Sequence, residues 1–140
     1  MSGTAEVTIC SSSKYYDAVK EIAGHLADRG VAVNTPRFDF DEEVVEVTAD
    51  RKRELTHEFL AKVRRSACIY VVAAGGYTGC SVSIETGFAA ALSIPIFASE
   101  PPVEAAVAAL VSNIVSVADA PDFLAGFLSS ATSRLNPGIL

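Results

Sequence analysis

Glu85 is the side chain whose type and setting most clearly suggest chemistry. It is the only charged residue between Arg65 and Glu100, and its neighbours on a predicted helix are apolar. Burial among such neighbours would raise the pKa of the carboxyl, whereas a helix N-terminus would favour its charged form. Because no neighbour in the sequence neutralises this carboxylate, a functional role is a strong candidate. The alternative interpretation is an ordinary glutamate near a helix start, bonded to backbone amides or to water.

A glycine-rich loop, Gly75–Ser81 (GGYTGCS), directly precedes this predicted helix. Gly76 and Gly79 let backbone N–H groups approach a ligand closely, since glycine adopts conformations closed to other residues. Tyr77 offers a ring that can stack on a base or a sugar. The loop is not a P-loop, because no lysine follows its last glycine, and its spacing differs from the dinucleotide fingerprint. Ordinary turn glycines and a tyrosine that merely packs are the alternative interpretation.

A run of three serines, Ser11, Ser12 and Ser13, follows the first predicted strand and begins the first predicted helix. Hydroxyls and helix amides in this arrangement can hold an anion. Lys14 or Arg37 would add positive charge for a phosphate. The run therefore predicts an anion-binding turn, with an ordinary N-cap as the alternative.

Two further groups offer alternative chemistry. Cys80 lies near a predicted helix start, where thiol pKa values fall, so a cysteine nucleophile with His57 as its base is a second candidate site. The acidic run Asp39–Glu46 is typical of a solvated loop, and its alternative is a lid that supplies a second carboxylate. Because His25 and His57 stand apart and no CxxC or HExxH spacing occurs, we expect neither a metal nor another cofactor.

The chain alternates strand and helix patterns that must position these residues. Predicted strands cover Glu6–Cys10, Val31–Thr35, Ala67–Ala73, Ile94–Ala98 and Ile114–Val117. Predicted helices run from the serine turn to Gly30, over Asp50–Arg65, over Val82–Leu92, from near Val103, and over Pro121–Ser133. The helix over Asp50–Arg65 is predicted to bury a stripe of four apolar residues: Leu55, Phe59, Leu60 and Val63. We predict a single α/β domain over residues 1–140, with a flavodoxin-like (Rossmann-like), five-stranded parallel sheet of order 2-1-3-4-5 and helices on both faces.

The assumed strand order gives the candidate residues a common location. In open α/β sheets, ligands bind beyond the carboxyl ends of the strands, at the point where the strand order reverses. For the order 2-1-3-4-5, that point lies between the first and third strands. Because the serine run and the glycine loop follow those two strands, we expect them to form one site.

Composition limits the class of protein. The 140 residues include 11 basic and 17 acidic side chains, a net charge of -6, so we expect no nucleic-acid polymer as a partner. No apolar run is long enough for a transmembrane helix, and no secretory signal opens the sequence, so we expect no membrane partner. The three cysteines cannot all pair, which favours a cytoplasmic protein. The nearly uncharged second half predicts a homo-oligomer.

The segment from Val7 to about Glu100 resembles the nucleoside 2-deoxyribosyltransferase-like family. The similar pieces are ICSSS, VAVNTP, HEFLAKVRRSACIYVV and GGYTGCSVSIETGFAAALSIPIFASE, and the most specific is Glu85-Thr86-Gly87-Phe88-Ala89, which is similar to the family's E-[IL]-G-[YF]-A. The resemblance implies a flavodoxin-like fold and a glutamate nucleophile, Glu85, that attacks the anomeric carbon of a sugar and releases the base. It also implies that Ser11 and Ser12 contact the sugar or its 5′-phosphate, and that Tyr77, Gly79 and Ser81 surround the sugar.

Members of the family usually carry an aspartate around the third strand or its exit, where this sequence has Cys68, Ala73 and Ala74, so a general acid is either missing or supplied from elsewhere. Asp39, Asp41 and His57 are the alternatives that the sequence offers. We therefore expect cleavage or transfer at the N-glycosidic bond of a nucleoside or nucleoside 5′-monophosphate. The alternatives are a nucleotide-binding module without catalysis and a phosphoribohydrolase of the cytokinin-activating type, whose PGGxGTxxE loop is echoed by GGYTGCSVSIE.

Overall fold

Five short strands alternate with helices along the chain, and all five pair in parallel in one sheet of order β2-β1-β3-β4-β5. The computed structural model describes residues 5–40 and 46–135. The strands are β1 (Glu6–Ser11), β2 (Ala32–Asn34), β3 (Cys68–Val72), β4 (Ile96–Ala98) and β5 (Asn113–Ile114). The helices are α1 (Tyr16–Asp28), α2 (Ala49–Arg64), α3 (Cys80–Ala91), α4 (Ala105–Ala108) and α5 (Ala120–Leu135). The predicted fold class and strand order are confirmed.

The sheet divides the core into two clusters because successive side chains of a strand point to opposite faces. On one face, Val7 and Ile9 of β1 pack with the buried residues of α1 and α5. On the other face, Cys10 of β1 packs with Val63 of α2 and with buried residues of α3. The central strand β3 is buried along its whole length, as expected for a parallel strand covered on both sides.

The predicted buried stripe of α2 is wrong for three of its four residues. Only Val63 is buried, whereas Leu55, Phe59 and Leu60 are partly exposed. These three side chains line a cleft instead of filling the core, although Phe59 also packs against the cluster on that face. Periodicity identifies the apolar side of a helix, but it does not tell a core from the wall of a cavity.

The remaining differences lie at element ends. Helix α3 begins at Cys80, two residues before the predicted start at Val82, and β5 is limited to Asn113–Ile114. Within residues 5–40 and 46–135, none of the helices combines the length and apolarity needed to cross a bilayer.

Candidate active site

A cleft of about 430 Å³ lies at the carboxyl ends of β1 and β3, bounded by α2 and the start of α3. The register Ser11↔Val72 brings the ends of the two strands level, so the loops that follow them meet. Seven of the eight predicted site residues line this cleft: Ser11, Ser12, Ser13, Tyr77, Gly79, Ser81 and Glu85. The switch point of the sheet thus gathers the residues that the sequence singled out.

The serine run forms the turn between β1 and α1. Ser11 is the last residue of β1, and its buried hydroxyl donates to the carbonyl of Ser12 at 2.8 Å. The hydroxyl of Ser12 accepts from the backbone N–H of Lys14 at 3.3 Å, which caps the short 3-10 turn Ser13–Tyr15. The capping interpretation therefore holds for Ser12, which also lines the cleft.

The glycine loop depends on left-handed backbone conformations. Gly76 has φ +85°, and a Cβ at this position would lie 2.8 Å from the carbonyl oxygen of Pro101. Its own carbonyl accepts from Val103 N–H at 3.0 Å, so Gly76 binds the loop to the segment after β4. Gly76 is buried and does not line the cleft. The geometry therefore accounts for this glycine by close backbone packing.

Tyr77 connects the glycine loop to the serine turn. Its ring lies 4.4 Å from Lys14 Nζ and makes an edge contact with Tyr15, with ring centroids 6.3 Å apart. The hydroxyl of Tyr15 also donates to the carbonyl of Ala74 at 3.2 Å. On the other side, a Cβ at Gly79 would lie 3.4 Å from Tyr77 Oη, so the ring covers that glycine closely. The two loops form one continuous wall of the cleft.

Glu85 lies in the second turn of α3 and lines the cleft, so it does not cap the helix. Burial raises the pKa of its carboxyl to about 8, an effect that a hydrogen bond with Cys10 and the positive charge of Lys52 offset in part. The Cys10 thiol is fully buried on β1, and burial, followed by the charge and hydrogen bond of Glu85, raises its pKa well above the usual value. Both groups are therefore mainly protonated at neutral pH.

Lys52 reaches the cleft from the first turn of α2. Its Nζ lies 3.5 Å from the hydroxyl of Ser81, in the first turn of α3. Sequence reasoning missed this lysine, because nothing in the chain links residue 52 to residue 81. It also missed Cys10, although strand alternation would have placed Cys10 on the face opposite Ile9, toward α2 and α3.

The predicted sources of a general acid are not assembled around Glu85. Neither Asp39 nor His57 lines the cleft, and Asp41 lies outside the described residues. The Arg37 guanidinium binds Asp39 through two hydrogen bonds of 3.1 and 2.9 Å and holds the pKa of that carboxyl below its usual range. Glu58, which the sequence analysis did not select, is a second carboxylate on the cleft, 3.6 Å from Arg37.

The alternative cysteine site is not assembled either. Cys80 is exposed and lines the cleft, whereas His57 lies on α2 away from the cleft lining. No group of three or more His, Cys, Asp or Glu side chains that could hold a metal ion is found among residues 5–40 and 46–135. Glu85 and Lys52 line the cleft from two different helices, and the buried thiol of Cys10 on β1 forms a hydrogen bond with Glu85.

Solved structures of other proteins share the architecture described above. No family model and no curated protein matches the sequence. A 2-deoxyribosyltransferase from the psychrotolerant bacterium Bacillus psychrosaccharolyticus has a similar structure, with a TM-score of 0.62 over 84% of this chain and 90% of that chain at 15% identity. A conserved protein from Enterococcus faecalis V583 gives a TM-score of 0.55 over 91% of this chain and 99% of that chain at 12% identity.

At these identities the likeness shows a shared fold. The resemblance to 2-deoxyribosyltransferases that the motif predicted is thus confirmed for the architecture of the chain.

Proposed function

We propose that this protein cleaves or transfers the N-glycosidic bond of a nucleoside or nucleoside 5′-monophosphate, with Glu85 as the nucleophile. The observation that carries the proposal is the position of Glu85, which lines a cleft at the switch point of the sheet beside the serine turn and the glycine loop. Structural similarity to a 2-deoxyribosyltransferase supports the same chemistry. The cleft of about 430 Å³ falls within the range of small-molecule sites.

The proposed reaction has two steps. The ionised carboxylate of Glu85 forms a bond to C1′ of the sugar as the bond from C1′ to the base nitrogen breaks. The electron pair leaves with the base, which takes up a proton from water in the open cleft. Water or a second base then attacks C1′ of the glycosyl ester and regenerates the carboxylate, as in retaining glycosidases.

The raised pKa of Glu85 gives this proposal a pH signature. A carboxyl with a pKa of about 8 is ionised in about a tenth of the molecules at pH 7. Because only the ionised form is nucleophilic, kcat/KM for base release should rise about tenfold from pH 7 to pH 9. A profile that falls over this interval would contradict a nucleophilic Glu85.

Chromatography of released base tests the activity directly. The protein is incubated with a panel of deoxynucleosides, ribonucleosides and their 5′-monophosphates, with and without an acceptor base. Glu85→Gln and Glu85→Ala should lower the rate by on the order of a thousandfold or more, because they remove the group that forms the bond. Glu54→Gln on the exposed side of α2 is the control, since it removes a carboxylate outside the cleft. Base release at the parental rate by Glu85→Ala would refute the assignment.

A nucleotide-binding module is the second candidate function. The observation that favours it is the burial of Glu85, which raises the pKa of the carboxyl to about 8 and so favours the protonated form, a hydrogen-bond donor. Calorimetry that shows tight binding of a nucleotide, combined with no released base at pH 7 or pH 9, would select binding over catalysis.

We also propose that the chain self-associates. The second half of the sequence carries few charges, and Ile84 and Val103 are exposed by 52% and 73%. Sedimentation velocity at micromolar concentration should show a species larger than a monomer, and a monomer would contradict the proposal.

A further inference from the structure

Lys52 brings a positive charge to the side of the cleft that carries Glu85. Its Nζ lies 3.5 Å from the hydroxyl of Ser81. Ser81 and Glu85 are four residues apart on α3, so their side chains are neighbours on one face of the helix, with Cβ atoms about 6 Å apart. All three side chains line the same cleft.

Lys52 adds a polar contact at the cleft between α2 and α3, which also pack through Val63. It lies in the first turn of α2, after the cap made by Thr48, whose hydroxyl accepts from Arg51 N–H at 3.2 Å. Because this cap fixes the start of α2, the lysine side chain extends from a defined position toward the start of α3.

Other titratable or charged groups face the cleft from several elements, and their electrostatic effect on Glu85 must be compared with that of Lys52. They are Tyr16 from α1, Arg37 after β2, Glu58 and Lys62 from α2, Tyr77 from the glycine loop, and Cys80 from α3. The buried Cys10 of β1 does not line the cleft, but its thiol forms a hydrogen bond with Glu85. Arg37 forms ion pairs with Asp39 and Glu58 at 2.9 and 3.6 Å, which reduce its field at Glu85. Lys62 lies ten residues beyond Lys52, about 15 Å along α2.

We propose that Lys52 is a positioning residue for Glu85, whose ammonium group stabilises the ionised carboxylate and thereby sets the pH range in which the cleft is reactive. The catalytic consequence rests on the proposed function, whereas the electrostatic link does not. An opposite charge about 4–6 Å away lowers the pKa of a carboxyl by roughly one unit or more. Lys52 thus works against burial, which drives the same carboxyl toward its protonated form.

The electrostatic link is tested without any activity. Carbon-13 NMR of the glutamate side-chain carboxyls, with the Glu85 signal assigned by its loss in Glu85→Gln, gives the pKa of Glu85 directly. Lys52→Met should raise this pKa by about one unit, and Lys52→Arg should leave it near the parental value. Arg53→Met is the matched control, because it removes the adjacent positive charge from an exposed position outside the cleft lining.

The catalytic consequence is tested with the pH dependence of base release. In Lys52→Met, the acidic limb of kcat/KM should move up by the same interval as the pKa of Glu85, with recovery of the rate at high pH. Lys52→Arg should restore the parental profile. A structural role alone would lower the rate at every pH without moving the limb.

The outcomes separate the two proposals. A shift of the Glu85 pKa in Lys52→Met and no base release by any variant would support the electrostatic link and refute the proposed activity. Base release with an unshifted Glu85 pKa in Lys52→Met would refute the role of Lys52 and retain the activity. An equal shift in Lys52→Met and Arg53→Met would also refute it, because the effect would then come from net charge.

Discussion

Helices on the two faces of the sheet use their apolar residues differently. On one face, α1 buries Val19, Ile22 and Leu26, each with at most 1% of its surface exposed. On the other face, the longer α2 buries only Val63, and the rest of its apolar stripe lines the cleft. The first face therefore contributes mainly to stability, and the second leaves room for a ligand beside Glu85.

A pair of leucine truncations tests this division, with the largest expected effect on the closed face. Leu26→Ala removes a side chain with 0% exposure and should lower the free energy of unfolding by about 2–5 kcal/mol. Leu55→Ala removes a partly exposed side chain of the cleft wall and should cost less than about 1 kcal/mol. Urea unfolding monitored by circular dichroism measures both. Equal losses would show that the α2 stripe is as much a part of the core as α1.

The pH dependence of the free energy of unfolding tests whether Glu85, on the cleft face of the sheet, lowers the stability of the fold when it is ionised. Its pKa is about 8 in the folded protein against 4.5 for an ordinary glutamate, so between these pH values the folded chain binds more protons than the unfolded chain. The contribution of Glu85 to the free energy of unfolding therefore falls as the pH rises from 4.5 to 8. Glu85→Gln removes this dependence and should be more stable than the parent at pH 9, by on the order of 3 kcal/mol.

Thermal unfolding of the parent and Glu85→Gln at pH 5, 7 and 9 measures this difference. The advantage of Glu85→Gln should grow with pH, and Glu54→Gln, which removes an exposed carboxylate, should show no such trend. Destabilisation by Glu85→Gln at every pH would mean that the carboxyl stabilises the fold.

Substitutions at two adjacent glycines, Gly75 and Gly76, compare close packing with open space in the glycine loop. We expect smaller changes in the free energy of unfolding than for the core leucine. Gly76→Ala places a Cβ 2.8 Å from both Pro101 O and Val103 Cγ1 in a left-handed conformation, and should cost about 2–4 kcal/mol. Gly75→Ala meets the same backbone restriction but no atom within 4 Å, and should cost about 1 kcal/mol. Differential scanning fluorimetry compares the two. If Gly76→Ala left the thermal stability unchanged, the segment after β4 would have to move to accommodate the new Cβ at little energetic cost.

Much of the fold followed from local patterns. The apolar run of β3, the serine turn and the glycine loop predicted the parallel sheet and the meeting of two loops at its switch point, and the register Ser11↔Val72 agrees. The isolation of Glu85 in the sequence also predicted a side chain on the cleft, because no neighbour along the chain neutralises it.

What the sequence did not reveal depends on contacts between distant elements. Lys52 and Ser81 are 29 positions apart, and Cys10 and Glu85 meet only because β1 lies beneath α3. The apolar stripe of α2 was predicted to be buried, because residue type alone does not distinguish a helix face packed in the core from one that lines a cleft. Glu85 looked isolated along the chain, yet in three dimensions a thiol and an ammonium group act on it.

The uneven exposure of the three cysteines makes the cleft accessible to chemical footprinting. Cys10 and Cys68 are buried, whereas Cys80 is exposed on the cleft rim. A thiol-specific alkylating reagent should therefore label Cys80 first in the folded protein, and occupancy of the cleft should slow that labelling. The rate of modification at Cys80 can then report which compounds from a nucleotide library enter the cleft, whether or not they are turned over.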